Sequence, residues 1–207
     1  MVSPHADDEV LGCGGLISQM NSDSVYIAQM TMGSELRKTE FLNLMEHCSI
    51  NNYSILFDDS LHLKLDTIPL SVIITELEKI IEKFMPTIVA IPFPSFNQDH
   101  EVVYRACCAA LRSKKKGQHM PLMTILYEYP QINWSGIGGD FQPNFYIDIT
   151  KELPNKIKMM KFYESQLVDE TYAVSLAGIK NMANYRGREI SVSAAEAYYL
   201  KRLIINF

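Results

Sequence analysis

Two kinds of apolar segment alternate along the chain, and their periods predict a β-α-β order of elements. Short runs rich in apolar and β-branched residues predict strands, whereas apolar residues every three to four positions predict amphipathic helices. We expect strands at Ser24–Thr31, Tyr53–Phe57, Thr87–Ile91, Thr124–Tyr129 and Asn144–Ile149. We expect helices at Leu36–Ser49, Leu70–Phe84 and His100–Leu111, with a further helix capped by Thr150 and running to about Tyr163.

This order indicates an α/β fold, namely a Rossmann-like three-layer sandwich with a mostly parallel sheet and helices on both faces. Residues 1–207 are expected to form a single domain, because no linker, repeat or low-complexity segment interrupts the pattern. The first strand is predicted to be short, since only residues 1–3 precede the polar segment after it. The connections Asp58–Ile68 and Gln131–Pro143 are long, and long loops often carry function.

The polar segment after the first strand, residues 4–9, carries the most chemical information. It places one imidazole and three carboxylates in five consecutive positions, directly before an apolar, glycine-rich stretch. Carboxylates crowded at the edge of a core need a cation to offset their repulsion and desolvation. A divalent metal is the simplest such cation, and a set of His and Asp donors suits Zn²⁺.

The spacing within this segment suggests a separate role for each of its side chains. His5 and Asp8 are three residues apart, which brings both side chains to one side of a tight turn. Asp7 then points elsewhere but stays close, as a general base that deprotonates a water on the metal must do. His100 is the natural third ligand, because it follows residues 97–99 at the end of another predicted strand. The remaining histidines are interpreted as structural or solvated: His47, His62 and His119.

The glycines after this segment invite a different interpretation, a phosphate-binding loop. Gly12, Gly14 and Gly15 do not form the dinucleotide-binding pattern after a full strand, and no Gly-Lys-Ser or Gly-Lys-Thr follows them. We interpret them as small residues that let the next helix pack closely on the sheet and leave room above the metal.

Composition narrows the function classes further. The net charge is −5, and the only basic cluster, Lys114–Lys116, is short, so no nucleic-acid partner is expected. No apolar stretch approaches the roughly 18–20 residues of a membrane span, and no signal peptide is expected at the start. The four cysteines form no C-x-x-C pair and are interpreted as reduced thiols, which favours a cytoplasmic location.

At these residues the sequence resembles the PIG-L/LmbE-like zinc-dependent de-N-acetylase family. The first family motif, Pro-His-x-Asp-Asp-Glu with a Leu-Gly-x-Gly-Gly-like run, is matched by Pro4–Gly15. The second, His-x-Asp-His, is matched by Asn97–His100 with asparagine in its first position. Weaker matches extend the resemblance over nearly the full length: Arg37 and Glu40, Asn144–Thr150, Ser165 and Gln166, Arg186 and Gly187, and Ala195–Tyr198.

The resemblance implies a single PIG-L/LmbE-like deacetylase domain in which His5, Asp8 and His100 bind Zn²⁺ and Asp7 activates a water that attacks an acetamide. It also implies that Asn97 occupies the position of a histidine that stabilises the oxyanion. An asparagine amide can donate that hydrogen bond but cannot titrate near neutral pH, so Asp7 would serve as acid as well as base.

Three further roles are open at the level of sequence. Arg37 binds either a phosphate or hydroxyl of the substrate, or forms an ion pair with Glu40. Asp99 either orients Asn97 or His100, or caps the helix. The remaining acid of the first motif is interpreted as structural, through capping or ion pairing: Glu9.

The leading hypothesis is a hydrolase that removes the acetyl group from a small-molecule N-acetyl amino sugar, a GlcNAc-type moiety of a glycoconjugate, nucleotide sugar or precursor. One alternative is a metal-dependent hydrolase of another amide or ester, because activation of water does not select the acyl group. The other is a sugar-binding or metal-binding homologue without catalysis, which the asparagine at position 97 and the short first strand favour. The sequence leaves a homo-oligomer open.

Overall fold

The computed structural model describes residues 1–134 and 139–205, and it confirms the predicted α/β class. The strands are β1 (Val2–Ser3), β2 (Ile27–Gln29), β3 (Tyr53–Ile55), β4 (Ile88–Pro92), β5 (Met123–Tyr127), β6 (Phe145–Asp148) and β7 (Ala195–Leu203). The helices are α1 (Asp8–Gln19), α2 (Glu35–His47), α3 (Leu70–Phe84), α4 (Gln98–Ala110), α5 (Leu153–Met160) and α6 (Leu176–Glu189). Short 3-10 turns link several of them.

The strands form two sheets that meet along β1 and β4. The first sheet is parallel, in the order β1-β2-β3, and β1 pairs with β2 through Val2 and Ala28. The second has the order β4-β5-β7-β6, in which β4 and β5 are parallel and β7 is antiparallel to both of its neighbours. The layer of parallel strands predicted from sequence therefore includes β1 to β5, and an antiparallel extension follows it.

The helices pack in two groups around these sheets. Helix α5 lies between α1 and α6, while α3 packs on α4. In α3 the buried residues Ile73, Leu77 and Ile81 recur every four positions, as an amphipathic helix requires. This helix ends at Phe84, and Met85 then takes the left-handed conformation with φ 51° before Pro86.

Several predicted boundaries are wrong for local reasons. The strand expected from residue 24 begins only at Ile27, because residues 22–24 form a 3-10 turn capped by the side chain of Asn21. Thr150 does not cap a helix: α5 begins at Leu153, and the Thr150 hydroxyl instead accepts from the Ala194 N–H at 3.3 Å. Helix α6 and strand β7 were not predicted. The short β1 agrees with its expectation.

The glycines of α1 let this helix lie directly on the sheets, as predicted. A Cβ atom on Gly12 would lie 2.2 Å from the ring of Tyr127, and one on Gly15 would lie 2.5 Å from Ile149. Neither distance is possible for a real side chain, so both positions require glycine for close packing.

The two long predicted loops differ in what the structure describes. Residues 58–68 contain the 3-10 turns Asp59–Leu61 and Leu65–Thr67. The loop predicted at Gln131–Pro143 includes residues 135–138, which lie outside the described residues. Within residues 1–134 and 139–205, no helix has the length and apolar character needed to cross a membrane.

Candidate metal centre

The two polar motifs lie where β1 and β4 end, at the carboxyl edge of the sheets. Strands β2 and β3 extend from β1 on one side, and β5 follows β4 on the other. The strand order therefore diverges between β1 and β4. In open α/β sheets, ligands bind at such a point of divergence.

The first motif forms a tight turn between β1 and α1. The His5 N–H donates to Asp8 Oδ2 at 2.9 Å, and the Asp7 carbonyl accepts from the N–H groups of Val10 and Leu11 at 2.9 Å each. Asp7 has a φ of 103°, in a region that favours glycine. Strain of this kind in a non-glycine residue clusters at functional sites. The turn therefore fixes the position of Asp7 and stores strain in its backbone.

The second motif begins helix α4. Asn97 is the N-cap residue, and its Oδ1 accepts from the Asp99 N–H at 2.9 Å. His100 lies in the first turn of the helix and is buried. Because the side-chain oxygen of Asn97 is engaged in the cap, its amide nitrogen is the group left to donate a hydrogen bond outward.

Three side chains from these motifs converge on one point. His5, Asp8 and His100 each offer one ligand atom, and these atoms lie within 4.8 Å of one another. Asp8 Oδ2 is 3.5 Å from His5 Nδ1 and 3.1 Å from His100 Nε2. Ligand atoms about 2.0–2.1 Å from a tetrahedral metal stand roughly 3.3 Å apart. The spacing of both pairs therefore fits one divalent ion.

The electrostatics of this group also favour a cation. Burial alone would lower the pKa of His5, but hydrogen bonds to Asp8 and Asp99 outweigh it and raise the pKa to about 9. Burial likewise opposes ionisation of Asp8, yet His100 and His5 outweigh it and hold the pKa of this carboxyl well below its usual range. The site thus stabilises positive charge at its centre, and a divalent cation would displace the imidazole proton.

The carboxylate of Asp99 contacts His5, and only the backbone N–H of Asp99 contacts Asn97. Its Oδ2 lies 2.9 Å from His5 Nε2, which leaves His5 Nδ1 facing Asp8. The same carboxylate accepts from the N–H groups of Leu63 and Leu65 at 2.8 and 2.9 Å. A carboxylate behind a histidine ligand fixes the ring orientation and tautomer. The Asp99 carboxylate therefore joins His5 to the loop of residues 58–68, while the Asp99 N–H holds the side chain of Asn97. The alternative that Asp99 caps the helix is wrong, because the N-cap residue is Asn97.

Asp7 has the electrostatic surroundings of a base. Burial and the neighbouring carboxylates of Asp8 and Glu9 raise its pKa well above the usual range, against the opposing effects of His5 and Arg37. A carboxylate with a raised pKa accepts a proton more readily than an ordinary one.

Glu9 supports the turn from beneath. Its carboxylate accepts hydrogen bonds from the Tyr163 hydroxyl, from Ser3 Oγ at 3.3 Å and from the Asp7 N–H at 3.3 Å. The side chain is fully buried, and this burial raises its pKa to about 7. Glu9 is structural, as expected, but it acts through hydrogen bonds and not through an ion pair.

His62 is a residue of this site that the sequence interpretation missed. Its ring meets that of His5 edge to face, with centroids 4.8 Å apart. Its Nε2 lies 3.4 Å from the Arg37 guanidinium, which can only donate, so Nε2 accepts and Nδ1 carries the proton toward Thr31 Oγ1 at 3.3 Å. The unusual length of the loop of residues 58–68 was the signal that could have identified His62.

Arg37 does not pair with Glu40, so that alternative is wrong. Glu40 instead accepts from the N–H and hydroxyl of Ser165 at 2.7 and 2.6 Å. Arg186, in another weakly matching segment, makes a bidentate pair with Glu128 at 2.6 and 2.7 Å. Glu40, Ser165 and Arg186, which belong to the weaker family matches, therefore make structural contacts between distant segments of the chain.

Glu196 has the most extensive structural role of these matches. Its carboxylate accepts from the N–H groups of Gly15 and Leu16 at 2.7 and 2.8 Å and pairs with Lys156 at 2.6 Å. Lys156 also donates to the carbonyl of Leu11 at 2.8 Å. The buried ion pair thus binds the backbone of α1 one to two turns beyond the metal-binding residues.

The fold and the site together define a class of α/β proteins with a group of candidate metal ligands where the strand order diverges. The model of the PIG-L family, GlcNAc-PI de-N-acetylase, matches residues 1–111. That match covers more than half of the chain, and the chain belongs to this family of de-N-acetylases. No curated protein sequence matches the chain significantly.

Solved structures share this fold. N,N'-diacetylchitobiose deacetylase from Pyrococcus horikoshii, in complex with an inhibitor, has a TM-score of 0.76 and 21% identity, over 96% of this chain and 81% of that one. A teicoplanin deacetylase in a zinc-inhibited form has a TM-score of 0.73 and 17% identity, over 96% of each chain. The 4-carboxy-2-hydroxymuconate hydratase GalB from Pseudomonas putida has 0.74 and 14%, over 100% of this chain and 97% of that one.

Proposed function

We propose that the protein is a zinc-dependent hydrolase that removes the acetyl group from an N-acetylated amino sugar. The substrate is a GlcNAc-type moiety of a glycoconjugate, nucleotide sugar or small-molecule precursor. One observation carries the proposal, namely that His5, Asp8 and His100 converge beside Asp7 in a chain of a de-N-acetylase family.

His5, Asp8 and His100 would hold the metal. Two imidazoles and a carboxylate are a donor set that zinc takes in hydrolases, and the zinc-inhibited form of the teicoplanin deacetylase supports sensitivity to this ion in the same fold. When bound, the metal supplies Lewis acidity that acidifies water and polarises an acetamide carbonyl.

Asp7 moves the proton. Its carboxylate takes a proton from the attacking water and then delivers it to the departing nitrogen, so that acetate and a free amine result. The raised pKa suits both steps, because the group must hold the proton between them. No titratable side chain stands at position 97 to share this task.

Asn97 and Arg37 act on the substrate directly. The Asn97 amide nitrogen donates to the carbonyl oxygen as negative charge develops there, because the other side-chain atom is engaged in the helix cap. The Arg37 guanidinium, held by His62, binds a hydroxyl or phosphate of the substrate.

The decisive experiment measures acetate release from a panel of N-acetylglucosamine conjugates by the metal-free protein, with and without added zinc. We expect release that requires about one zinc per chain and that falls at least about 100-fold in Asp7→Asn, as loss of a general base predicts. Asp59→Asn is the matched control, since its carboxylate accepts from backbone N–H groups of residues 32 and 33. Full activity of Asp7→Asn would remove the proposed base.

A second candidate is a metal-dependent reaction on another bond. The likeness to GalB supports it, because a hydratase has the same fold. The panel should therefore include formamides, simple esters and an unsaturated carboxylic acid. Faster turnover of any of these than of every acetamido sugar would favour this candidate.

A further inference from the structure

Two exposed aromatic rings lie beside the candidate metal centre. Phe96 follows β4 and is 41% exposed, while Trp134 follows β5 and is 74% exposed. Their ring centroids are 6.0 Å apart and their planes meet at 69°. The two rings therefore form an open corner, which we call the aromatic corner, at the carboxyl end of neighbouring parallel strands.

The aromatic corner is connected to the candidate ligand His100 through Ser95 and Tyr129. Phe96 stands between Asn97 and Ser95, and Ser95 Oγ accepts from the Tyr129 hydroxyl at 2.6 Å. The Tyr129 ring in turn lies 4.9 Å from that of His100. Whereas His100 is buried, both corner rings face solvent, so the corner forms part of the rim of the site.

Described residues close to Trp134 in the sequence are held in place. Ile132 and Phe141 are buried, and Asn133 Oδ1 accepts from the Phe141 N–H at 2.7 Å. Phe141 also packs edge to face on Phe93 at 5.1 Å. A tryptophan exposed beside such residues keeps a large apolar surface available for a ligand.

We propose that the aromatic corner binds a second sugar ring, attached to the acetamido sugar whose acetyl group is removed. This inference rests on the proposed function. A pyranose presents an apolar C–H face and polar edges, so it can lie on one aromatic ring while the other contacts its edge. The acetamide must reach the buried ligands, so the attached ring is the part of the substrate left at the rim.

The inference can be tested by binding, because Trp134 is the only tryptophan in the chain and reports directly on the corner. The probes are N,N'-diacetylchitobiose and N-acetylglucosamine, titrated in the Asp7→Asn background to prevent turnover. We expect the disaccharide to change the fluorescence with saturation and to bind about 2- to 10-fold more weakly in Phe96→Ala. Equal responses to both sugars would overturn the assignment.

Kinetics provide the second measurement. With the disaccharide, Trp134→Ala and Phe96→Ala should raise KM about 2- to 10-fold with kcat little changed, as loss of an aromatic contact worth about 0.5–1.5 kcal/mol predicts. Trp134→Phe should keep KM within threefold of the original. With N-acetylglucosamine neither alanine variant should change KM. Met85→Ala is the matched control, an exposed apolar residue just before β4 and so at the opposite edge.

The outcomes separate this inference from the function beneath it. Acetate release with unchanged KM in both alanine variants would overturn the aromatic corner and leave the deacetylase intact. Saturable disaccharide binding that Phe96→Ala weakens, without acetate release from any conjugate, would support the corner and overturn the deacetylase.

Discussion

The N-terminal region, residues 1–111, and the region after it contribute different groups to the candidate metal centre. The first provides the converging donors His5, Asp8 and His100 and is the part that the family model matches. The second provides buried polar groups that reach back to the first, such as Tyr163 on Glu9 and Glu196 on α1. All the candidate ligands thus fall within residues 1–111, whereas part of the support for Glu9 and α1 comes from beyond that range.

The largest expected effect is loss of a metal ligand in the first region. His100→Ala should reduce bound zinc from about one per chain to near zero and abolish acetate release, because a three-ligand site loses its geometry. Asp99→Asn should keep the ligands but lower metal affinity about 10- to 100-fold. Metal analysis after dialysis measures both. His47→Ala, an exposed histidine of α2, should change neither.

The next largest effect is expected when the buried ion pair of Lys156 and Glu196, which supports α1, is broken. Lys156→Met leaves Glu196 buried without its cation and should lower the free energy of unfolding by about 3–5 kcal/mol. The control is Arg112→Met, which breaks an exposed pair with Glu78 and should cost less than about 1 kcal/mol. Urea unfolding measures both. Equal losses would show that the buried pair gives α1 no special support.

A smaller effect is expected at the hydrogen bond beneath the turn that the first motif forms. Tyr163→Phe removes one hydrogen bond to the buried Glu9 and should lower the free energy of unfolding by about 1–3 kcal/mol. It should also reduce kcat with unchanged zinc content, because Glu9 holds the backbone of Asp7. Tyr104→Phe is the control, because the Tyr104 hydroxyl accepts from the exposed Lys201 amine at 3.2 Å. A lower zinc content would show that the contact supports the ligands and not Asp7.

The smallest effect concerns backbone strain at position 7. Asp7→Gly should be more stable than Asp7→Ala by about 1 kcal/mol, because only glycine adopts a φ of 103° without strain. At Asp148 in strand β6 the order should reverse, with glycine less stable by about 0.5–1 kcal/mol. Thermal unfolding of the four variants compares them. If alanine were more stable than glycine at position 7 as well, the turn would carry no strain there.

The sequence predicted what depends on short-range pattern. The bounds of α3 were correct, since apolar residues every three to four positions and Pro86 define them. The edge at which the motifs meet followed from the strand order. Helix α6 was missed because Gly178 and Gly187 weaken a helical pattern, although each is needed where the helix touches Ala173 or Ala194.

Contacts between distant segments account for the other misses. In the sequence His62 is one histidine of a polar loop, and only the folded structure shows that its ring contacts that of His5. The choice of Asp99 between its neighbours and His5 depends on how α4 meets β1. Strand β7 was missed because its pairing with β5 and β6 is antiparallel, which a β-α-β pattern does not anticipate.

The carboxylate of Asp99 has one more consequence. It holds His5 with one oxygen and, with its two oxygens, the backbone N–H groups of Leu63 and Leu65. Any rearrangement that pulls Asp99 from its place must release these two amides together. The rate at which these two amides exchange hydrogen with solvent therefore reports whether the residues around Asp99 stay ordered, and NMR can measure it without substrate.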